Sequence, residues 1–350
     1  MKVKFRAIAL AGCAALALGV AACGSSDDNS TSTSGGGSST TASKGKPIKV
    51  GLVTDIGGLN DRSFNHLAYV GLQRAQKDLG IQGRVLTSKS AADYIPNLTT
   101  LAQQNYDLII SVGFLMADAT AQVAKQVPNG HFAIIDADAT TMKGKPTNVE
   151  GLLFKEQQAG YLTGYLAGLY AKDNNIKVIS SVGGQKIPPV DHYIAGYQAG
   201  AKAAYPGIQT LNAYSQDFVA QDKCKEIALN QIAKGSGVVF QVAGQCGLGA
   251  LDAAKEKGKQ GIGVDADQGY LGPNIISSAE KKVDVAVFDT IKNAQAGKYN
   301  AGADSTFELS NDGVDYAKPS VKGQKYATKV DQIKKDIIDG KIANIPDTVK

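Results

Sequence analysis

From residue 47 onward, short apolar segments alternate with longer segments in which apolar residues recur every three or four positions. The first short segment, 47–54, has the composition of a buried strand. The next segment, 64–79, places apolar residues on one face of a helix, and Gly80 ends that helix. Repetition of strand, turn and helix predicts a parallel sheet with helices on both faces.

The pattern begins again after residue 171, and no long linker separates the two halves, so we expect two α/β lobes that face each other. Strands are predicted at 47–54, 83–86, 106–112, 131–135, 176–182, 208–213, 237–243, 261–264 and 274–277. Helices are predicted at 64–79, 95–105, 117–127, 156–171, 193–204, 220–232, 248–257, 283–296 and 324–339. We place lobe 1 at about 47–155 and 283–311, and lobe 2 at about 175–282 with part of the C-terminal tail.

The first 23 residues have the pattern of an export signal. A basic start precedes an apolar run of 16 residues at 7–22, which is shorter than the roughly 20 residues that cross a bilayer. The run ends in VAAC at Cys23, which resembles a bacterial lipobox. A plain signal peptide and a short anchor helix are the alternatives. The pattern predicts a signal peptide at 1–22 and a lipid on Cys23.

A linker follows the lipobox. Ser, Gly and Thr supply 17 of the 23 residues at 24–46, and a segment of this composition cannot bury a core. We therefore expect a folded body at 47–350 that a lipid and a flexible linker tether to the extracytoplasmic face of the cell membrane.

Charge and histidine content exclude several classes of function. The chain carries 37 basic and 32 acidic residues, a net charge of +5, and loss of the three basic residues of the signal leaves 34 against 32, or +2. Lys and Arg form no dense run that follows a phosphate backbone, so no nucleic-acid partner is expected. His66, His131 and His192 are scattered along the sequence, so we expect no metal site, and no cofactor is expected either.

Two of the four cysteines remain in the mature body. Cys13 leaves with the signal and Cys23 takes the lipid, which leaves Cys224 and Cys246. Two remaining cysteines often pair in an oxidising compartment. We therefore predict a Cys224–Cys246 disulfide, with two free thiols as the alternative.

Candidate ligand-binding residues follow the first predicted strand. Ligands of such sheets bind beyond the carboxyl ends of the strands. There, Asp55, Phe64 and Asn65 supply a carboxylate, a ring and an amide, which suit the hydroxyls, the flat face and the edge of a nucleoside. Helix capping and core packing are the alternative interpretation of each residue alone. Asp265 ends the predicted strand 261–264, so its side chain is also expected in the cleft.

The stretch GLVTDIGGLNDRSFNHLAYVGLQRA closely resembles the opening of the BMP family of basic membrane lipoproteins. These are substrate-binding proteins of ABC transporters, similar to purine nucleoside receptors. The resemblance continues in order through FAIIDAD, EQQAGYLTGYLAGL, VGGQKIPPV, FQVAGQCGLGALDAAKE, GIGVDADQ and SSAEKKVDVAV, and covers roughly residues 48–300. It implies the type I periplasmic-binding-protein fold, an α/β fold of two Rossmann-like lobes with a hinge, which holds a nucleoside between the lobes.

The resemblance also implies a role for each matching position. On the side of the base, Phe64 stacks on the purine, and Asp55, Asn65 and Asp136 hydrogen-bond the base or frame it.

On the side of the sugar, the resemblance implies that Gly244 offers backbone groups and that Asp265 accepts the ribose hydroxyls, with Lys281 nearby as a donor. A second aromatic residue usually closes the stack. We expect Tyr193 in this role, since it lies beside the IPPV turn, ahead of Phe240, which lies in the middle of a strand.

Two motifs that are typical of enzymes are incomplete. GQCGLG at 244–249 has the spacing G-x-x-G-x-G rather than that of a dinucleotide loop. SAEK at 278–281 lacks the companion motifs of serine acyl-enzymes. We therefore predict a binding protein rather than an enzyme, with a nucleoside hydrolase or a Rossmann oxidoreductase as the enzymatic alternatives.

The predicted function is capture of a purine nucleoside by closure of two lobes, followed by delivery to the permease of an ABC transporter. The protein is expected to act as a monomer. Two alternatives on the same fold are a binder of another small metabolite, such as a sugar or an autoinducer, and a sensor whose ligand-bound form touches a membrane receptor.

Overall fold

A computed structural model describes residues 46–349, which belong to one compact unit. The predicted signal peptide 1–22, Cys23 and the linker up to residue 45 lie outside the described residues. Within 46–349 the chain forms twelve strands in two sheets and nine α-helices, numbered below in chain order. No helix of this range is long and apolar enough to cross a membrane.

The first sheet has six strands that all run parallel. In the order in which they lie, they are β11 (Asp304–Phe307), β5 (Val149–Phe154), β4 (Phe132–Ile135), β3 (Leu108–Val112), β1 (Lys49–Thr54) and β2 (Gln82–Leu86). We call this sheet, with the four helices that cover it, lobe 1.

Alternate residues of the central strand β3 explain why both faces of lobe 1 are covered. Leu108 and Ile110 pack in one apolar cluster and Ile109 packs in another, each fully buried or nearly so. Each face carries one pair of helices that pack together. The pairs are α1 (Phe64–Leu79) with α8 (Val283–Gln295), and α2 (Tyr94–Gln103) with α3 (Ala117–Gln126).

The second sheet also has six strands, of which only the short edge strand β12 is antiparallel to its neighbour. In order, the strands are β12 (Val314–Tyr316), β10 (Ile275–Lys281), β9 (Gln260–Asp265), β8 (Ser236–Val242), β6 (Val178–Gly183) and β7 (Gln209–Tyr214). Its helices are α4 (Glu156–Asp173), α5 (Pro188–Ala204), α6 (Gln221–Ala233), α7 (Gly244–Glu256) and α9 (Ala327–Ile338). We call this half lobe 2.

Helices α4 and α5 lie unusually close because glycines line their contact. A Cβ atom at Gly160 would lie 2.2 Å from the backbone oxygen of Tyr193, and one at Gly164 would lie 2.0 Å from that of Tyr197. No side chain fits at such a distance, so glycine is required for this packing. The contact fixes α5, and with it Tyr193, against α4.

Three neighbouring segments connect the lobes, between β5 and α4, between β10 and α8, and between β11 and β12. Lys155 N–H donates to Phe307 O at 2.9 Å, and Lys282 N–H donates to Gly313 O at 2.9 Å. The rings of Phe154 and Phe307 stack with centroids 4.9 Å apart. These adjoining segments are the candidate hinge of the two lobes, whose boundaries stay a prediction.

The sequence pattern predicts most elements but misses some. The helix predicted at 64–79 agrees with α1. The strands β5, β11 and β12 were not predicted, and β10 continues to Lys281 rather than ending at residue 277. Helices α5 and α7 begin about one turn earlier than predicted, at Pro188 and Gly244.

A disulfide joins Cys224 in α6 to Cys246 in α7, with the two Cα atoms 5.6 Å apart. This separation lies within the usual range for disulfides. Cys246 stands in the first turn of α7, where the sequence pattern had predicted a loop. The bond ties together the two helices that cover one face of lobe 2.

Candidate functional site

The carboxyl ends of the two sheets line a cleft between the lobes, with about 610 Å³ of empty space when its solvent-open mouth is included. All eight candidate ligand-binding residues line it. Lobe 1 contributes Asp55, Phe64, Asn65 and Asp136, and lobe 2 contributes Tyr193, Gly244, Asp265 and Lys281. The structure therefore brings together residues that are more than 200 positions apart in the sequence.

Asp61 fixes the start of α1. Its carboxylate accepts hydrogen bonds from the backbone N–H groups of Ser63 at 3.0 Å, Asn65 at 2.8 Å and His66 at 3.1 Å. Asp61 therefore caps the helix, and Ser63, which directly precedes the helix, makes no capping hydrogen bond with its side chain. This cap places Phe64, the first residue of α1, at the edge of the cleft.

Three phenylalanine rings in the cleft are only half buried, and two of them were not predicted. Phe64 and Phe114 belong to lobe 1, and Phe218 belongs to lobe 2. Phe218 follows β7, at a strand end where no candidate residue was predicted. The sequence signal that could have identified Phe218 is an aromatic residue shortly after a parallel strand.

Tyr193 lines the cleft in a different manner. Its side chain is 2% exposed, its hydroxyl donates to Asp265 Oδ1 at 3.2 Å, and its ring meets Phe240 edge to face, with centroids 6.2 Å apart. Phe240 is fully buried in the core. Phe218 is therefore the more exposed of the two aromatic residues that lobe 2 contributes to the cleft, and Tyr193 is almost wholly buried.

Asn65 and Asp55 form a polar pair in the wall of lobe 1. Asn65 Nδ2 donates to Asp55 Oδ1 at 2.9 Å, while Asn65 Oδ1 is buried and has no hydrogen-bond partner among the described residues. An unpaired buried acceptor costs about 1–3 kcal/mol. Burial raises the pKa of Asp55 to about 8, against the hydrogen bond from Asn65 and with support from the charges of Asp61 and Asp136.

Lys281 is buried at the end of β10, with 2% of its side chain exposed, so it is not the solvated charge that most lysines are. Its ammonium lies 2.6 Å from Asp136 Oδ1 and 2.8 Å from Glu156 Oε1. Burial alone lowers the pKa of Lys281, but the charges of Asp136, Glu156 and Asp265 outweigh it and hold the pKa above its usual range. Lys281 is therefore a fixed cation.

The group of charges around Lys281 also includes a histidine of lobe 2 and contacts an aromatic ring of lobe 1. Glu156, the first residue of α4, also accepts from His192 on α5, with 3.0 Å between Oε2 and Nδ1. The Nζ of Lys281 lies 5.1 Å from the ring centroid of Phe64, within range of a cation–π contact. Sequence reasoning missed Glu156 because the strand that precedes α4 was not predicted, and it missed the role of His192 because the partner of this histidine is Glu156.

Asp136 and Asp265 occupy equivalent places, each at the carboxyl end of a strand and each with left-handed backbone, at φ +70° and φ +62°. Aspartate is one of the few residues that tolerate this conformation. Burial raises the pKa of both carboxyl groups, an effect that the charge of Lys281 opposes. The turns thus direct two buried carboxyl groups into the cleft from opposite lobes.

Asp265 is held by one donor from each lobe. Ser63 Oγ of lobe 1 donates to Oδ2 at 2.6 Å, and Tyr193 of lobe 2 donates to Oδ1. Gly244 lies near it in the lining, at the start of α7 with φ +54°. The missing side chain leaves its backbone open to a bound molecule.

The charges in the cleft are unequal. Among the described residues that line it, four are carboxylic acids, and Lys281 is the one Lys or Arg. The acids are Asp55, Asp61, Asp136 and Asp265. Burial raises the pKa of Asp55 to about 8 and leaves this acid largely uncharged near pH 7, but the other three acids still outnumber Lys281. The arrangement therefore suits an uncharged molecule with hydrogen-bond donors and a flat ring better than an anion.

Comparison with known proteins gives consistent matches over the described body. Residues 48–347 match the Bmp family, described as ABC transporter substrate-binding protein PnrA-like. A Lactococcus lactis protein named ABC transporter nucleoside-binding protein BmpA is 34% identical over 317 residues, which cover 84% of this chain and 88% of that protein. An uncharacterized lipoprotein of Pyrococcus horikoshii is 36% identical over 285 residues, covering 78% of this chain and 69% of that protein.

The fold is similar to that of solved solute-binding proteins. A solute-binding protein of an ABC transporter system from Aeropyrum pernix aligns with a TM-score of 0.76 at 26% identity, over 86% of this chain and 94% of that one. Together with the two sheets described above, this likeness confirms the predicted periplasmic-binding-protein fold.

Proposed function

The chain belongs to the Bmp family of PnrA-like substrate-binding proteins of ABC transporters, and from this premise we propose that it binds a purine nucleoside between its lobes and delivers it to a membrane permease. The observation that carries the proposal is the convergence of all eight candidate residues, from both lobes, on one cleft. The Lactococcus lactis relative named a nucleoside-binding protein supports the same ligand class.

The purine would lie between two phenyl rings of opposite lobes. Phe64 of lobe 1 and Phe218 of lobe 2 both line the cleft and are half buried. Loss of a ring that stacks on a base costs about 1–3 kcal/mol. In this proposal Phe218 takes the second stacking position that the sequence pattern assigns to Tyr193.

The edge of the base would face Asp55 and Asn65. Asn65 Oδ1, which has no partner among the described residues, would accept an N–H of the base. A base that supplies this donor removes the cost of a buried unpaired acceptor. Asp136, which lies beside Lys281, would frame the base from the same side.

The ribose would face lobe 2. A carboxylate has about four positions at which it accepts hydrogen bonds, and Asp265 uses two of them for Ser63 and Tyr193. The remaining positions suit two vicinal hydroxyls. Lys281 would donate from the opposite direction, since two of its three N–H groups are held by Asp136 and Glu156.

Charge would separate nucleosides from nucleotides. A phosphate brings about −1.5 to −2 charges into a cleft whose described lining holds four acids and one lysine. We therefore expect the ligand to be an uncharged nucleoside, and nucleoside monophosphates to bind weakly.

Closure of the lobes would couple binding to delivery. A ligand that contacts both lobes favours the closed state by its difference in affinity for the two states. We propose that the protein acts as a monomer, anchored by a lipid on Cys23 to the extracytoplasmic face of the cell membrane, where the permease lies. The lipobox sequence and the Pyrococcus relative named a lipoprotein support the anchor.

Titration calorimetry of the purified body tests the ligand. The panel contains guanosine, inosine and adenosine, their 2′,3′-dideoxy analogues and 5′-monophosphates, and simple sugars. We expect heat and a raised melting temperature with at least one purine ribonucleoside, and weak binding of the others. The absence of any response to nucleosides at millimolar concentration, or a response to a sugar instead, contradicts the proposal.

Variants of the two rings sharpen this test. Phe64→Ala and Phe218→Ala should each weaken nucleoside binding by about 1–3 kcal/mol. Tyr270→Ala is the control, because this tyrosine is 62% exposed and lies outside the cleft lining. Equal affinities for all three variants and the unchanged protein would show that neither phenylalanine ring contacts the nucleoside.

Fractionation of cells tests the anchor. Full-length protein should sediment with the membrane, and Cys23→Ser should release it to the soluble fraction. A Cys23→Ser variant that stays with the membrane shows that another feature holds the protein there.

A further inference from the structure

We propose that Ser63 is a positioning residue that joins the lobes: its hydroxyl, from lobe 1, holds the Asp265 carboxylate of lobe 2 only when the cleft is closed. Closure and orientation of the sugar-binding carboxylate are then one event. The role of Asp265 toward the sugar rests on the proposed function, whereas the contact between the lobes does not.

The contact itself is short and buried. Ser63 is fully buried, and its Oγ lies 2.6 Å from Asp265 Oδ2 and 3.3 Å from Val264 O. The first distance is typical of a hydroxyl that donates to a carboxylate. Ser63 precedes α1 of lobe 1 and Asp265 ends β9 of lobe 2, so this hydrogen bond exists only while the two lobes are together.

The hydroxyl is free for this contact because another residue caps α1. A serine that precedes a helix ordinarily turns its hydroxyl to the first N–H groups of that helix. Here the Ser63 side chain makes no capping hydrogen bond, since Asp61 accepts from three backbone N–H groups instead. The sequence pattern hides the role of Ser63 behind an ordinary capping motif.

The backbone also directs this turn toward lobe 2. Arg62 has left-handed backbone with φ +56°, an uncommon conformation for a residue of its kind. The Arg62 carbonyl lies 3.5 Å from Nε2 of Gln268, a fully buried residue of lobe 2. Two adjacent residues of lobe 1 thus approach the same end of β9.

The two donors to Asp265 differ in one respect that matters. Tyr193 belongs to lobe 2, as Asp265 does, so its contact survives when the cleft opens. The contact with Ser63 does not. In the open state the carboxylate loses one of its two hydroxyl donors, and it regains the complete set on closure. Ser63 is therefore expected to slow ligand release rather than to speed capture.

The first experiment uses this difference and needs no ligand. Ser63→Ala and Tyr193→Phe each remove one hydroxyl donor from the same carboxylate, but only the first removes a contact between lobes. Small-angle X-ray scattering of the ligand-free proteins should give a larger radius of gyration for Ser63→Ala than for Tyr193→Phe and the unchanged protein. Equal radii for all three overturn the proposal.

The second experiment measures rates with inosine and guanosine by stopped flow. Ser63→Ala should raise the dissociation rate about tenfold, the effect of one hydrogen bond to a charged group, with less than a twofold change in the association rate. Ser63→Thr, which keeps the hydroxyl, should restore slow release. An effect confined to the association rate overturns the proposal.

A double variant tests whether Ser63 acts through Asp265. Asp265→Asn tolerates the left-handed backbone, and in that background Ser63→Ala should change the dissociation rate less than twofold. A full tenfold effect there contradicts the assigned route. Ser63→Cys, which donates only weakly, repeats each measurement should Ser63→Ala fold poorly. If no nucleoside binds the unchanged protein, the proposed function fails, while the scattering experiment still decides the contact.

Discussion

The two walls of the cleft differ in how far their polar groups are satisfied. In lobe 1, Asn65 Oδ1 is buried without a partner among the described residues, and burial raises the pKa of Asp55 to about 8. In lobe 2, both oxygens of Asp265 accept hydrogen bonds, and Lys281 contacts two carboxylates. The lobe 1 wall lacks hydrogen bonds that a ligand could supply, whereas the polar groups of the lobe 2 wall already have partners in the closed cleft, among them Ser63 and Asp136 of lobe 1.

One cleft can in this way combine selectivity with a fixed geometry. Unpaired buried groups cost stability until a ligand pairs them, so the wall of lobe 1 rejects molecules that lack the right donor. Groups that are already held lose little freedom on binding, so the wall of lobe 2 gains affinity from its fixed positions. Under the proposed function, lobe 1 would discriminate between bases and lobe 2 would retain the sugar.

Replacement of Lys281 should disturb the organised wall most. Lys281→Met leaves Asp136 and Glu156 buried without their cation, and we expect the free energy of unfolding to fall by about 3–5 kcal/mol. Denaturation with urea measures the change.

An exposed ion pair supplies the control for Lys281. Lys325→Met breaks a contact with Asp173 in which both side chains are about half exposed, and it should lower the free energy of unfolding far less than Lys281→Met does. Similar losses for the two variants would show that the buried network around Lys281 does not organise lobe 2.

The disulfide should stabilise lobe 2 without shaping the cleft. It closes a loop with a sequence separation of 22, so its loss in a Cys224→Ala, Cys246→Ala variant should lower the free energy of unfolding by about 3 kcal/mol. Neither cysteine lines the cleft, so nucleoside affinity should change less than threefold. A large loss of nucleoside affinity in this variant, with an unchanged free energy of unfolding, would contradict the prediction.

Asp55→Asn should remove the free-energy cost of burying an ionised Asp55 carboxylate in the wall of lobe 1. The folded protein raises the pKa of Asp55 from 3.8 to about 8, so it holds this proton more tightly than the unfolded chain does. The free energy of unfolding therefore falls as pH rises between those values, by at most about 1.4 kcal/mol per pH unit. Asn stays neutral, so the variant should gain stability over the unchanged protein from pH 5 to pH 8 while it binds nucleoside more weakly.

Melting curves at a series of pH values follow this effect. The same replacement in lobe 2, Asp265→Asn, is the comparison, because Asp265 has hydroxyl donors and a nearby cation that Asp55 lacks. If Asp265→Asn gains as much stability as Asp55→Asn or more, the polar groups of lobe 2 are not better satisfied than those of lobe 1.

His192 should give the smallest effect. Burial alone lowers its pKa, but the hydrogen bond and charge of Glu156, with the charge of Asp347, raise it above 6.5 despite Lys281. The stabilisation is therefore complete below about pH 6.5 and is lost as pH rises through the folded-state pKa. His192→Gln should cost less than about 1 kcal/mol at pH 6 and nothing at alkaline pH. A loss of stability in His192→Gln that grows as pH rises would contradict this prediction.

Sequence periodicity predicted the elements that repeat over several turns or strands. Helix α1 was predicted with its bounds, since sixteen residues give a clear amphipathic pattern. The strands β11 and β12 have four and three residues, which is too short for a period to show. In β5, Glu150 interrupts the apolar run although it is buried. Its burial is tolerated because Ser305 of the neighbouring strand β11, far away in the sequence, donates a hydrogen bond to its carboxylate.

The grouping of candidate residues in one cleft was predictable where one strand end carried several of them. Asp55, Phe64 and Asn65 lie between the end of β1 and the first turn of α1, and the sequence alone shows which polar and aromatic groups they supply. The resemblance to known family members supplied positions such as Lys281, which is buried only because Asp136 and Glu156 surround it. The contact of Ser63 with Asp265 spans 202 positions, and nothing local marks it.

A crystal structure of the protein with a bound purine nucleoside tests the central claim most directly. We predict that the base lies between Phe64 and Phe218 with an N–H directed to Asn65 Oδ1, and that the ribose hydroxyls contact Asp265. A nucleoside bound in the reverse orientation, with its ribose at Asp55 and Asn65, or bound outside the cleft, would contradict the account.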